Sequence, residues 1–170
     1  MASVTQVYGT PVAMTVTNLQ SINNYSSTDY AWLSARVDLT SVNCDDVMIN
    51  IHLTTANTAP ANDKAASVFI VVWYKDNAGN WRPSDLGTTT QPIATEGKTV
   101  QIGATGVGSY PAGLLPYNAA QCPLDTSFTL QSIGLTAMPH GFSVCIKNYT
   151  GAALSTGCIV DYTPITFSIA

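Results

Sequence analysis

The residues able to do acid–base, nucleophilic or metal chemistry are few and scattered. His52 and His140 are the only histidines and Glu96 the only glutamate. A glutamate pair for glycoside hydrolysis therefore cannot be assembled, and no aspartate pair is singled out by spacing. No serine stands in a Gly-x-Ser-x-Gly elbow. The cysteines, Cys44, Cys122, Cys145 and Cys158, form no Cys-x-x-Cys pair and share no patterned zinc spacing with either histidine, which argues against zinc. Asp45-Asp46 and Asp76-Asn77-Ala78-Gly79-Asn80 offer oxygen ligands to Ca²⁺. The second lacks the long loop closed by an acidic ligand, so it reads as a turn. Gly103, Gly106 and Gly108 have the wrong spacing for a dinucleotide fingerprint, and no helical pattern follows them. The expectation is a chain with no catalytic residue, no cofactor and no metal site.

Other polar and aromatic residues have plain structural readings. His52 falls on the polar side of an alternating strand, and His140 follows Pro139 in a turn. Of Trp32, Trp73 and Trp81, which could build a platform for a sugar, Trp73 sits in an apolar run and reads as core. Trp81 is the better exposed candidate. Asn24-Tyr25-Ser26 and Asn148-Tyr149-Thr150 match glycosylation sequons, but no basic segment and apolar stretch open the chain as in a signal peptide. The cysteines are read as buried thiols or as disulfides, with Cys145 and Cys158 flanking a hairpin.

The elements that would position these residues are strands. Val47, Ile49, Ile51 and Leu53 alternate with Met48, Asn50 and His52, as in a strand with one buried face. Val68-Phe69-Ile70-Val71-Val72-Trp73-Tyr74 is apolar throughout, short and rich in β-branched and aromatic residues, which predicts an interior strand covered on both faces. Asp76 to Asn80 then turns the chain. A first strand is expected over Val12 to Leu19. A second is expected over Trp32 to Leu39, with Leu33, Ala35, Val37 and Leu39 on one face and Arg36 and Asp38 on the other. Trp81 to Asp85, Thr99 to Gly103, Ser127 to Ile133 and Phe142 to Lys147 add further strands. Cys158 to Tyr162 and Ile165 to Ile169 close the chain, broken by Pro164. Gly103 to Pro123 reads as a long irregular excursion rich in Gly and Pro. The sum is an all-β fold: a β-sandwich, in which a jelly roll is one possible form, of about nine short strands. An N-terminal arm of residues 1–11 precedes a single domain of residues 12–170.

Composition agrees. Charged residues make up 9% of the chain, against about 25% in ordinary domains. Glu, Lys and Arg stabilise exposed helix faces, and their scarcity disfavours long surface helices. The net charge is −4 with no basic stripe, so nucleic acid is not an expected partner. No apolar run approaches the length of a membrane span. A surface of Thr, Ser, Asn and Gln has little charge to keep it soluble, which suits a protein that works packed in an assembly.

Three stretches carry a resemblance. They are Val37-Asp38-Leu39-Thr40-Ser41; Ala59-Pro60-Ala61-Asn62-Asp63-Lys64-Ala65 with the aromatic-rich strand and Asp76-Asn77-Ala78-Gly79 after it; and Leu135 to Pro139, Gly141-Phe142 and Asn148 to Leu154. In texture they resemble small virion structural proteins of tailed bacteriophages, over roughly residues 12–165. The resemblance implies a capsid decoration (cement) or head-fibre protein that is not an enzyme. It would be made in the bacterial host cytoplasm and carried on the capsid surface, with the major capsid protein as partner and a homo-oligomer, a trimer by preference, as its state. The competing expectation is a carbohydrate- or receptor-binding sandwich of a head or tail fibre. Tyr110, Leu114, Leu115 and Tyr117 are apolar or aromatic residues in the Gly/Pro excursion, and they are the expected contacts with another chain.

Overall fold

The alternation from Val47 to Leu53 becomes strand β5 (Asp46–Leu53), where Val47, Ile49, Ile51 and Leu53 are buried and Met48, Asn50 and His52 are half-buried. The computed structural model describes residues 4–16, 19, 30–55, 65–83, 99–101, 109–116, 124–148 and 153–169. Twelve strands lie among them, more than expected because several are fragments of two or three residues. The chain is all-β, built as two antiparallel sheets, with no α-helix among the described residues.

One sheet joins β5 to β1 (Val4–Tyr8), β2 (Val12–Ala13), β10 (Leu124–Thr129) and β12 (Ile159–Ile169). Its order is β1-β12-β5-β10, with β2 also paired to β12. The other joins β3 (Tyr30–Leu33), β4 (Val37–Asp38), β6 (Ala65–Lys75), β7 (Trp81–Pro83), β8 (Thr99–Gln101), β9 (Ser109–Pro116) and β11 (Gly141–Asn148). Its order is β7-β6-β11-β3-β8, with β4 on β11 and β9 on β6. The main core lies between the sheets. Val68, Ile70 and Val72 of β6 and Phe142, Val144 and Ile146 of β11 share a cluster with the apolar set of β5, Phe128 and Val160.

Strand β6 is interior, with β11 on one side and β9 and β7 on the other, as its apolar run predicts. Its second face is covered as well. Val71 and Trp73 form a smaller cluster with Leu33 and Cys145, flanked by Phe69 and Trp81. The turn after it is held by Asp76, whose Oδ1 accepts the amides of Ala78 (3.0 Å) and Asn80 (2.8 Å). Gly79 takes φ 81°, where a side chain would be strained.

Several expected elements end elsewhere. Among the described residues of Val12 to Leu19, only Val12–Ala13 is strand. Within the expected arm, Val4–Tyr8 forms β1 against Ile165–Ile169. The strand expected from Trp32 to Leu39 is interrupted at Ser34, whose amide donates to Val144 O (2.8 Å) while its hydroxyl accepts from Val144 N (2.9 Å). Through this break the faces change: Leu33 joins the outer cluster, whereas Trp32 and Leu39 join the main core. Strand β10 stops at Thr129, where Thr129 and Ser132 exchange side chain–backbone bonds and turn the chain.

Pro164 does not break the last strand. Its carbonyl accepts from Gly9 N, so its donorless nitrogen faces the gap between β1 and β2, and the β5 ladder loses nothing. The Gly103–Pro123 excursion likewise contains a strand, β9, paired with Ala65 to Val71. Among the described residues it pairs with β6 alone, so the prolines at its edge remove no ladder bond from a second neighbour there. Ala112 is the extra residue where the register shifts between Val68 and Phe69. Cys145 and Cys158 are not neighbours, because β11 and β12 belong to different sheets. Cys44 and Cys158 are free thiols, and Cys122 lies outside the described residues. Asn148 is fully buried, which leaves no room for a glycan.

Candidate binding surfaces

The contacts expected from the sequence fall on β9. Tyr110, Leu114 and Leu115 stand in register with Ile70, Ser67 and Ala66, and Tyr117 lies outside the described residues. They are therefore strand positions on an edge of the seven-stranded sheet rather than points on an irregular loop.

A second surface is a polar grid on the outer face of the five-stranded sheet. Register places Asp125 beside His52 and Ser127 beside Asn50 on one side, with Ile159 and Asp161 beside the same two residues on the other. All six face outward by the alternation of strands. Ser127 Oγ donates to Asn50 Oδ1 (2.8 Å), and Asn50 Nδ2 donates to Asp161 Oδ1 (2.7 Å). His52 Nδ1 is bonded to Asp125 Oδ1 (2.5 Å). These residues line an open groove of about 350 Å³. The Asp–His pair has the makings of a proton relay, but the nearby hydroxyl of Ser127 is committed to Asn50. What the row can do is hydrogen-bond a hydroxyl-bearing ligand with fixed donors and acceptors. No group of three or more His, Cys, Asp or Glu that could hold a metal occurs among the described residues.

The third surface gathers charge in a charge-poor chain. Of the 6 basic residues, Arg36 and Lys75 meet over Trp81 on the outer face, and Arg82 follows Trp81 in β7. Lys75 pairs with Asp38 (3.5 Å) and Arg82 with Asp76 (3.1 Å). The Arg36 guanidinium instead lies over Trp81, 4.0 Å from the ring centroid, and 5.3 Å from that of Trp73. Lys75 Nζ is 4.5 Å from the Trp81 centroid. Trp73 is fixed by donating Nε1–H to Ser143 Oγ (3.0 Å). Gly141 makes room: a Cβ there would collide with Val37 O and stand 3.2 Å from the Trp81 ring. His140 Nδ1 accepts the Lys75 amide (2.7 Å) and is a structural cap to this corner. Bonds from Thr40 hold the Asp38 carboxyl below its ordinary pKa, and the Asn80 amide does the same for Asp76. Burial lowers the pKa of Arg36, with Asp38 opposing.

The fourth surface is a ribbon. Strand β5 gives β12 its last partner at Asp46, opposite Ile165, so among the described residues Thr166–Ile169 pair with Val4–Val7 alone. Beyond that point the Asp45 carboxylate substitutes for a strand, accepting Phe167 N at 2.7 Å. All of β1 is exposed, including Val4 (66%), Val7 and Tyr8, and Ile169 at the far end is 77% exposed. Neither Val4–Tyr8 nor Ile165–Ile169 contains a charged residue.

Sequence reasoning placed most of these residues on strands but did not bring them together. Arg36 and Asp38 were legible as one face, whereas their meeting with Trp81 and Lys75 depends on register. Compared with family models, with curated proteins and with solved structures, the chain finds no match in any of the three.

Proposed function

We propose that this chain is a non-catalytic structural protein of a tailed-phage virion, which binds the outside of the capsid and stabilises the shell. The observation that carries the reading is the ribbon of Val4–Val7 and Thr166–Ile169. A two-stranded ribbon alone is marginal in water. Edge strands that must stay single are protected by charge, proline or a bulge. Val4–Tyr8 has none of these and shows Val4, Val7 and Tyr8 to solvent. Such an edge gains free energy when another protein covers it, and the major capsid protein is the partner proposed. Binding that buries apolar and neutral polar surface depends weakly on salt.

Strand order adds support at the level of fold. Taking β1 with β2, β3 with β4, and β7 with β9 as one step each, and setting aside β8, which pairs with β3 at the opposite edge, leaves eight steps, ordered 1-8-3-6 facing 2-7-4-5. We read this as a jelly roll, an architecture used in viral capsid and lectin domains.

The test is cosedimentation with stripped particles, comparing the parent chain with a Val4→Lys/Val7→Lys variant. Both positions are exposed, so the circular dichroism and melting of the free protein should stay unchanged while binding to the shell is lost. Equal binding by the variant would remove the ribbon as the foot. Electron cryo-microscopy that placed the protein on the tail would remove the capsid reading. The polar grid favours the second reading, a receptor-binding sandwich for a hydroxyl-rich ligand such as a glycan. Asn50→Ala should then abolish glycan retention and leave shell binding intact.

A further inference from the structure

We propose that Arg36 is the anchor of a carboxylate-binding site at the β2–β4 seam, taking a carboxylate carried on an apolar body. Such a group is an Asp or Glu side chain, or a chain terminus, presented by a partner protein. A guanidinium has five N–H donors in a rigid fork that matches a carboxylate. In this chain Arg36 forms no ion pair within the described residues, and its Nε is buried without a hydrogen-bond partner. The nearby acids are already engaged. Asp38 Oδ1 accepts the Thr40 amide and hydroxyl, its Oδ2 pairs with Lys75, and Asp76 serves its own turn and Arg82. Pairing Lys75 with Asp38 and Arg82 with Asp76 leaves Arg36 as the odd cation of the corner.

Unmet donors next to apolar surface cost free energy until a partner satisfies them. Stacking on Trp81 and Trp73 satisfies the face of the guanidinium and, with Nε buried, leaves the terminal N–H groups for a ligand. A groove of about 250 Å³, lined by Arg36 and Asp38 together with Val12, Met14, Val37 and Tyr162, runs along the seam. Its apolar wall suits a hydrocarbon body. One guanidinium beside the Asp38 carboxylate suits a monoanion better than a dianion, which selects a carboxylate over a phosphate.

The experiment is a titration of the intact chain followed by tryptophan fluorescence, since two of its 3 tryptophans touch Arg36. The probes are sodium hexanoate, sodium acetate and inorganic phosphate, each against sodium chloride at matched ionic strength. The expected result is a saturable change with hexanoate at millimolar concentration, and acetate weaker by roughly tenfold or more because it lacks the apolar chain. Phosphate should be weaker than hexanoate. Arg36→Met should abolish the response, and Arg36→Lys, which keeps charge but loses the fork, should weaken it severalfold. Three results would overturn the proposal: hexanoate acting no differently from chloride on the parent chain, phosphate binding more tightly than hexanoate, or an undiminished response in Arg36→Met. If Arg36→Met does not fold, the parent titrations against chloride and phosphate still decide.

Discussion

Asp76 shows how one ionised side chain can hold a turn. Its pKa lies below the ordinary carboxylate range because the Asn80 amide, the Asn80 side chain, Arg82 and the Ala78 amide all favour the charged form. A depressed carboxyl contributes stability that is present above its unfolded pKa and is lost as pH falls through the folded one. The β6–β7 turn should therefore loosen on acidification, and Asp76→Asn should flatten the acid limb of a plot of melting temperature against pH. An acid limb identical to the parent's would contradict this. Burial pushes the Cys158 thiol the other way, raising its pKa, while Thr54 N donates to its sulfur at 3.4 Å. The reactive species is the thiolate, so Cys158 should escape alkylation at neutral pH in native protein and label after unfolding. Mass spectrometry of the labelled peptide reads this directly. Residues of this kind were legible where the signal was local. Asp76-Asn77-Ala78-Gly79-Asn80 announces its turn through residue type, whereas the environment of Cys158 depends on Thr54, far away in the chain.

At the scale of elements, alternation and uniform apolarity made β5 and β6 readable, because each period maps onto a buried face. Ile70 is fully buried in the main core, and Ile70→Ala should cost about 2–5 kcal/mol in a denaturant melt through the cavity it leaves. Gly141→Ala should also destabilise, by roughly 1–3 kcal/mol, since its Cβ would meet Val37 O and the Trp81 ring. The strands that sequence missed are those where Gly and Pro are permitted by position. In β9 the prolines sit on an edge, and in β12 Pro164 turns its nitrogen toward the gap between β1 and β2. Neither circumstance can be read from residue type alone. The contrast is measurable: Pro164→Ala should change stability by less than about 1 kcal/mol. Thr163→Pro, facing Met48 in the β5 ladder, should cost roughly 1–3 kcal/mol through the orphaned bond. Equal costs would mean that the orientation of Pro164 has been misassigned. The polar grid was illegible for a related reason. Asn50 and His52, Asp125 and Ser127, and Asp161 come from three strands, and only register lines them up.

Across the whole molecule, neutral polar surface, a projecting uncharged ribbon and one corner of concentrated charge divide the exterior into unlike regions. A shell-binding protein uses such a surface by burying modest area at several points, and footprints joined in one oligomer multiply through effective concentration. Each contact can then be weak and mostly uncharged, in keeping with 9% charged residues. In the proposed role the ribbon would supply the apolar foot, and Arg36 would supply one directional contact. The measurement that bears most directly on shell stabilisation is a heat challenge of particles stripped of this protein, with and without the purified chain added back. The proposed role predicts that re-decorated shells release their genome at a higher temperature than stripped shells, and that the Val4→Lys/Val7→Lys variant fails to restore the difference. Stripped and re-decorated shells failing at the same temperature, with only host attachment lost on stripping, would contradict it and leave receptor binding in its place.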